Sequence, residues 1–470
     1  MSSREMQTQQ VSINRVPLMI VLILGAFVAI LNQTLLGTAL PPIMKDLNLS
    51  ENTVQWLQSV FMLVNGIMIP ITAFFIERFS TRGLFLTAMG TFTLGTLICA
   101  LAPNFALLMA GRILQAAGAG IMMPLTQTIL FLIYPVEKRG SAMGMFGLVI
   151  AFAPAIGPTL SGWLVEQFPW RSVFFVVLPI AIIDIIVAYF ILKNVTKRTF
   201  PKLDIRSIIL STFGFGGILY AFSTAGSSGW LSLDVGIAMA IGLVTLVLFI
   251  MRQFKLKQPI LEFRVFKHKI FALTTALGMI VFMSMIGSAV VMPLFMQNML
   301  QFSPLESGLV LLPGALLMGL MNPITGRLFD AFGARWLAII GLFILVVTTF
   351  MLSILSTETS FTYLAIVNAA RMLGISMVMM PVTTAGLNSL PANLIPHGSA
   401  MNNTMRQVAG AVGTALLVTV MTMYERPEEG MNGMIHGVNV SFFVAGVLAV
   451  IGFVMSFYIK SKNVEGEKQH

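Results

Sequence analysis

Apolar residues along this chain come in long unbroken blocks, unlike the alternation of a half-buried strand or the single stripe of a surface helix. Blocks of spanning length fall near residues 17–39, 54–76, 83–102, 105–133, 141–165 and 172–192, then 206–225 and 233–251, then 271–297, 307–325, 336–355, 361–387, 399–423 and 438–459. A helix needs about 20 mostly apolar residues to cross a bilayer core of about 30 Å. The pattern therefore predicts an all-α polytopic membrane protein with fourteen transmembrane helices, grouped six, two and six.

Composition agrees: 57% of the 470 residues are hydrophobic and 10% charged, where water-soluble domains carry about 25% charged residues. Positive charge then orients the chain, because lysine and arginine collect in cytoplasmic connections. Of 28 such residues, alternate connections hold only Lys45, Arg171 and Arg426, and the spans hold only Arg112, Arg371 and Arg406. The others lie on one side together with both termini, which are expected to be cytoplasmic, in a plasma membrane. The net charge of +10 is accounted for by this bias and does not argue for nucleic acid. The loops Lys193 to Arg206 and Arg252 to Lys269 are basic enough to meet anionic lipid heads. A polar opening, Met1 to Gln10, predicts no cleaved signal. The solitary Cys99 rules out a disulfide within the chain and a cysteine metal site.

Ionisable groups inside spans are costly and mark either pathways or structural pairing. In the stretch Ala110 to Gly162, helical spacing puts Arg112, Gln115, Ala119, Met122 and Thr126 on one stripe, a mixed face suited to a cavity wall. The alternative is a structural arginine bonded to neighbouring helices. The returning limb carries Pro154 and Pro158 among small residues, which predicts a kinked, closely packed helix. Asp184 is the one acid well inside a span, placed either to carry protons or to pair with a neighbouring helix. Glu306, at the start of span 10, is a second proton-carrier candidate.

The two blocks of six repeat one another. Pro70-Ile71-Thr72 recurs as Pro323-Ile324-Thr325, and in that register Glu77 matches Asp330, Phe79 matches Phe332 and Arg82 matches Arg335. Gly140-Ser141-Ala142-Met143 recurs as Gly398-Ser399-Ala400-Met401, and Met122-Met123-Pro124 as Met379-Met380-Pro381, each of the latter preceded by an intramembrane arginine. Parallel six-helix halves are the plan of major-facilitator transporters, with substrate held between the halves near midplane. The layout expected is a tail (1–16), a first bundle (17–192), a two-helix insertion with basic loops (193–270), a second bundle (271–459) and a tail (460–470).

Several motifs carry a narrower resemblance. The run Gly111-Arg112-Ile113-Leu114-Gln115, the segment Gly157-Pro158-Thr159-Leu160-Ser161-Gly162, the loop Glu77-Arg78-Phe79-Ser80-Thr81-Arg82, Asn32-Gln33-Thr34 with Ala39-Leu40-Pro41, and Phe168-Pro169-Trp170-Arg171 with Phe174-Phe175 resemble the fourteen-span drug:proton antiporters of the EmrB/QacA type. Among these the chain looks most like the lincomycin-resistance exporters of Gram-positive bacteria. The resemblance implies a cytoplasmic latch at Glu77, Arg78 and Arg82, with Asp330 and Arg335 in the repeat; read without it, these charges are an ordinary positive-inside loop. It also implies that Pro154, Gly157, Pro158 and Gly162 belong to the tightly packed motif that marks exporters. Ser161 departs from the usual glycine. Asn32 stands where related antiporters commonly carry an aspartate, and an amide cannot titrate. Asn32, Gln33 and Thr34 then bind or orient, Asn32 being the natural partner of Arg112. Proton coupling falls to Asp184, Glu306 or Arg112, or is absent.

The expected substrate cavity draws on Asn32, Gln33, Thr34, Arg112, Gln115 and Met122 from the first half. From the second it draws on Asn368, Arg371, Asn402, Asn403 and Arg406, facing Arg112 and Gln115 across the midplane. The leading expectation is proton-coupled export of amphipathic compounds by alternating access, the partners being small molecules, protons and lipids and the chain a monomer. Export or facilitated movement of an endogenous metabolite or lipid precursor is the alternative. An enzyme is disfavoured: the histidines His268, His397, His436 and His470 are expected in loops or tails, no carboxylate pair lies in the spans, and phosphate loops are absent, so no cofactor or metal is expected.

Overall fold

The computed structural model of the protein describes residues 14–459 except 197. The expected tail 460–470 with His470, and all but the last three residues of the tail 1–16, lie outside the described residues. Among the described residues, fourteen long α-helices follow the order of the apolar blocks. The first six are α1 (Arg15–Asp46), α2 (Glu51–Arg78), α3 (Thr81–Leu101), α4 (Phe105–Ile133), α5 (Arg139–Gln167) and α6 (Ser172–Ile191). Next come α7 (Ile205–Ser228) and α8 (Leu233–Lys255). The last six are α9 (Lys269–Leu294), α10 (Pro304–Phe332), α11 (Ala334–Met351), α12 (Phe361–Asn388), α13 (Ile395–Met423) and α14 (Met431–Ser456). All fourteen contain a segment long and apolar enough to cross a bilayer, so this is a multi-pass membrane protein.

Several helices are closed at their starts by polar residues that satisfy free N–H groups of the first turn. Ser50, Ser80, Asn104 and Ser360 each accept a hydrogen bond from the backbone three residues on, at 3.3, 3.1, 3.0 and 3.2 Å. A cap of this kind stabilises a helix by about 1 kcal/mol. At the end of α9 the apolar pattern runs to residue 297, but the α-helix stops at Leu294 and gives way to a π-turn, Phe295–Met299. Pro293, lacking a backbone donor, stands just before the change.

Within the first half α4 packs on α2 and α3, and α1 on α5 and α6; within the second, α12 packs on α9, α10 and α11, and α13 on α9. Small residues bring backbones together: a Cβ on Gly341 of α11 would stand 2.7 Å from the Gly374 carbonyl of α12. The inserted helices α7 and α8 pack on each other, and α7 reaches both halves through α2 and α13. Their connection is fixed by Asp204, which accepts from Arg252 Nε at 2.6 Å and Nη2 at 2.8 Å. These charge-assisted bonds hold the Asp204 carboxyl down at about 2. At the opposite end of the bundle, Trp170 Nε1 and Arg171 Nη1 donate to Asp46 at 2.8 and 3.1 Å, tying the α5–α6 connection to α1.

The halves meet through α5 against α10 and α12, and through α13 against α2 and α4. This seam positions the candidate site.

Candidate functional site

In the first half the polar stripe of α4 is a helix contact, not an open wall. Arg112, Gln115, Met122 and Thr126 are fully buried and Ala119 nearly so. Arg112 Nε donates to the Leu57 carbonyl at 3.1 Å and Nη1 to Gln115 Oε1 at 2.8 Å, with the guanidinium 4.3 Å from the Phe61 ring centroid. Gln115 Nε2 donates to Thr96 Oγ1 at 2.9 Å and to Asn32 Oδ1 at 3.4 Å. Asn32 therefore meets Gln115 and not Arg112 directly: the glutamine, one helical turn from Arg112, fills the space between them. Arg112 Nη2 and Asn32 Nδ2 are buried without a partner among the described residues.

Beside Asn32, Gln33 is half-buried. Thr34 donates to the Leu31 carbonyl at 2.9 Å and to Ala153 of α5 at 3.3 Å. A side chain at Gly157 would run into Thr34. Ser161 donates to the Leu35 carbonyl at 2.5 Å, so the residue that departs from the exporter pattern adds a bond between α1 and α5. Pro154 and Pro158 are exposed, and Gly162 has open space around it, so close packing in this limb comes from Gly157 and Ser161.

The second half repeats the theme. Arg371 is fully buried; Nη2 donates to the Ser284 carbonyl at 2.7 Å and to its hydroxyl at 2.9 Å, and Nε to Thr349 at 3.4 Å. Thr349 is the repeat counterpart of Thr96. Arg406 donates to Thr383 and to the Met379 carbonyl. Of the second-half groups expected to face the first half, Asn403 reaches α4, donating to Gln127, whereas these hydrogen bonds of Arg371 and Arg406 stay within their own half. Arg371 Nη1, Arg406 Nε, Asn368 Nδ2 and Asn402 Oδ1 are buried without partners among the described residues. An unpaired buried polar group costs about 1–3 kcal/mol, so this spare capacity in both halves is not incidental to stability.

Asp184 faces into the first bundle. It is fully buried, and both carboxylate oxygens lack partners among the described residues. A Cβ on Gly25 of α1 would stand 3.0 Å from Asp184 Oδ2 and also meet Met122 and Phe85, so the acid sits where α1, α3, α4 and α6 converge. Glu306 is instead the exposed partner of Ser303 in a capping box at the start of α10, with bonds of 2.8, 2.9 and 3.2 Å.

The end of the bundle bearing the α2–α3 and α4–α5 turns is closed by bonds between the halves. Asp330 of α10 accepts from the N–H groups of Gly140 and Ser141 at 2.7 and 2.8 Å, and from the Ser141 hydroxyl at 2.5 Å. Glu77 of α2 meets His397 Nε2 at 3.1 Å. Arg139 Nη1 donates to Asn388 at 2.8 Å. Gln127 Oε1 accepts from Ser399 at 2.9 Å and Asn403 at 2.7 Å, and Asn322 Nδ2 donates to the Gly147 carbonyl at 2.8 Å. Among the described residues, the hydrogen bonds between the halves lie toward this basic end.

The arginines of the latch have these surroundings. Arg78 Nη1 donates to the Pro201 carbonyl at 2.8 Å, Arg82 lies 4.2 Å from the Tyr189 ring centroid, and Arg335 Nε is buried without a partner among the described residues. His397, expected in a loop, lies in the first turn of α13 and is 5% exposed; His436 likewise lies within α14. His397 Nδ1 also accepts from the Glu262 N–H at 3.3 Å, so a ring protonated on Nε2 joins both halves and the insertion. Gln127 and Asn322 were missed in the sequence; Gln127 follows Met122-Met123-Pro124 by three residues, and Asn322 immediately precedes the repeated Pro-Ile-Thr.

Comparison with known proteins follows this architecture. The family described as Major Facilitator Superfamily matches residues 22–414. An uncharacterized MFS-type transporter of Bacillus subtilis, YcnB, is 54% identical over 98% of both chains. The lincomycin resistance protein LmrB of Listeria monocytogenes is 42% identical, covering 95% of this chain and 97% of its own. The crystal structure of the human organic anion transporter MFSD10 (TETRAN) shares the fold at a TM-score of 0.69 and 14% identity, covering 94% of this chain and 99% of that one. The chain belongs to the major facilitator superfamily and is a membrane transporter, not an enzyme.

Proposed function

We propose that this transporter exports amphipathic compounds, lincosamide-like antibiotics among them, from the cytoplasm in exchange for protons. The observation that supports this most is the unfilled hydrogen-bonding capacity of Arg112, Arg371, Arg406, Asn368 and Asn402, spread over both halves. Neutral, zwitterionic or anionic solutes suit such groups, once the halves part, better than dicationic ones, because the charged members are arginines. Similarity to a lincomycin resistance protein points to the same class.

Alternating access supplies the mechanism. The basic end is the cytoplasmic one on this reading, both termini are cytoplasmic, and the closed seam is the state that faces outward in the plasma membrane of a Gram-positive cell. Asp184 is the proton carrier: a carboxyl group without partners among apolar neighbours costs least as the neutral acid, and opening the basic end offers it water. Glu77, Asp330, Arg78, Arg82 and Arg335 govern that opening. The protein works as a monomer among lipids without a cofactor.

Uptake of labelled lincomycin into inside-out vesicles tests this. Acidifying the lumen should drive uptake, and a protonophore should abolish it. Uptake indifferent to the gradient would contradict proton coupling and favour facilitated movement.

A further inference from the structure

Helices α2 and α3 leave their shared turn at Phe79 and Ser80 and diverge, touching little beyond it. Helix α4 packs against both, so the wedge between them is floored by α4, and among the described residues no other helix lines its side. It forms a groove of about 630 Å³, within the ~300–1,000 Å³ of small-molecule sites. Phe75 of α2, Leu84 and Thr87 of α3, and Ala117, Gly118 and Ile121 of α4 line it. The interior is thus apolar, and no acidic side chain lines it.

Its mouth, at the basic end, has the opposite character. Arg78 and Arg198 stand there with Ser80. The segment carrying Arg198 is pinned to the end of α2 by two bonds, Thr199 N–H to the Glu77 carbonyl at 3.0 Å and Arg78 Nη1 to the Pro201 carbonyl at 2.8 Å. Arg78 Nε and Nη2 and the whole Arg198 guanidinium remain unused by the described residues. Phe79 and Phe200 flank the mouth, 47% and 63% exposed, and Phe200 is held in the left-handed region at φ 48°. Exposed phenylalanines beside arginines suit the boundary between headgroups and acyl chains, the rings entering the apolar side and the cations staying with the headgroups.

An apolar slot beside the bilayer with two cations at the headgroup level matches one molecule that the bilayer itself supplies. We propose that this groove binds an anionic phospholipid, its phosphate between Arg78 and Arg198 and one acyl chain along Phe75, Leu84 and Ile121. Basic residues at a membrane surface favour anionic over zwitterionic lipid by about fivefold per charge. A neutral amphiphile would leave both guanidinium groups unanswered.

Photo-crosslinking in phosphatidylcholine nanodiscs carrying a trace of phosphatidylglycerol with a photoreactive acyl chain tests the assignment. Phosphatidylcholine with the same chain is the comparison. Label from the anionic probe should concentrate on the groove residues of α2, α3 and α4 and exceed that from phosphatidylcholine by about 25-fold, the product of two charges. Arg198→Glu, on an exposed loop, should bring it down to the phosphatidylcholine level, and Thr87→Trp should block groove labelling by either lipid. Equal labelling by the two lipids, label spread evenly around the lipid-facing helices, or a groove labelled by a photoreactive lincosamide and not by phosphatidylglycerol would overturn the proposal. An unchanged elution profile of each variant keeps these results separate from misfolding.

Discussion

Asp330 of the second half accepts two hydrogen bonds from Ser141 of the first, one from its N–H at 2.8 Å and one from its hydroxyl at 2.5 Å. With the bond from Gly140 N–H, the carboxylate caps the first turn of α5, where free N–H groups and the helix dipole favour negative charge. Glu77, its repeat counterpart, bonds His397 in the first turn of α13, the repeat counterpart of α5. Each half thus holds the start of a helix in the other. Closure of the basic end is a symmetric pair of acid-to-helix contacts.

Asp330→Asn should weaken that closure. Hydrogen bonds to charged groups contribute about 1.5–3 kcal/mol, and losing the charge should raise the population open at the basic end by about tenfold. A cysteine at buried Asn403, in a background lacking Cys99, would report this as about tenfold faster labelling by a maleimide supplied from the basic side. Equal labelling rates would count against a latch role for Asp330.

Arg112→Ala should abolish export while leaving the protein in the membrane. It removes the donors that reach Leu57 and Gln115, and with them the arginine's own bond from α4 to α2. Arg112→Lys should transport weakly, because one ammonium cannot reproduce the guanidinium fork. Normal efflux by Arg112→Ala would mean that the arginine is dispensable.

Gly144 permits the close approach of α5 and α10 at the seam: a Cβ there would stand 2.5 Å from the Asn322 carbonyl oxygen. Gly144→Val should hold the halves apart at the basic end and cut transport at least tenfold, since each cycle must close this seam. Wild-type transport by this variant, measured as lincomycin efflux, would show that the contact can yield.

The six-two-six division and the repeat were legible because the bilayer imposes a length on each apolar block and duplication preserves short runs. Helix α4 emerged at its expected bounds, Phe105–Ile133, with a capping asparagine before it. The repeat also paired Glu77 with Asp330, which occupy equivalent places at the seam. What these acids touch was not legible. A hydropathy pattern gives the order of spans and not the rotation of each helix about its axis, and that rotation turns Arg112 toward Leu57 and brings His397 to Glu77. Gln115 came between Asn32 and Arg112 for the same reason.

Proton coupling through Asp184 is the central claim, and substrate-induced proton movement in liposomes bearing purified protein tests it most directly. Wild-type protein should move protons when a lincosamide is added, and Asp184→Asn, folded equally well, should not. Equal proton movement by the two proteins would contradict the account and leave Asp184 a structural carboxyl group.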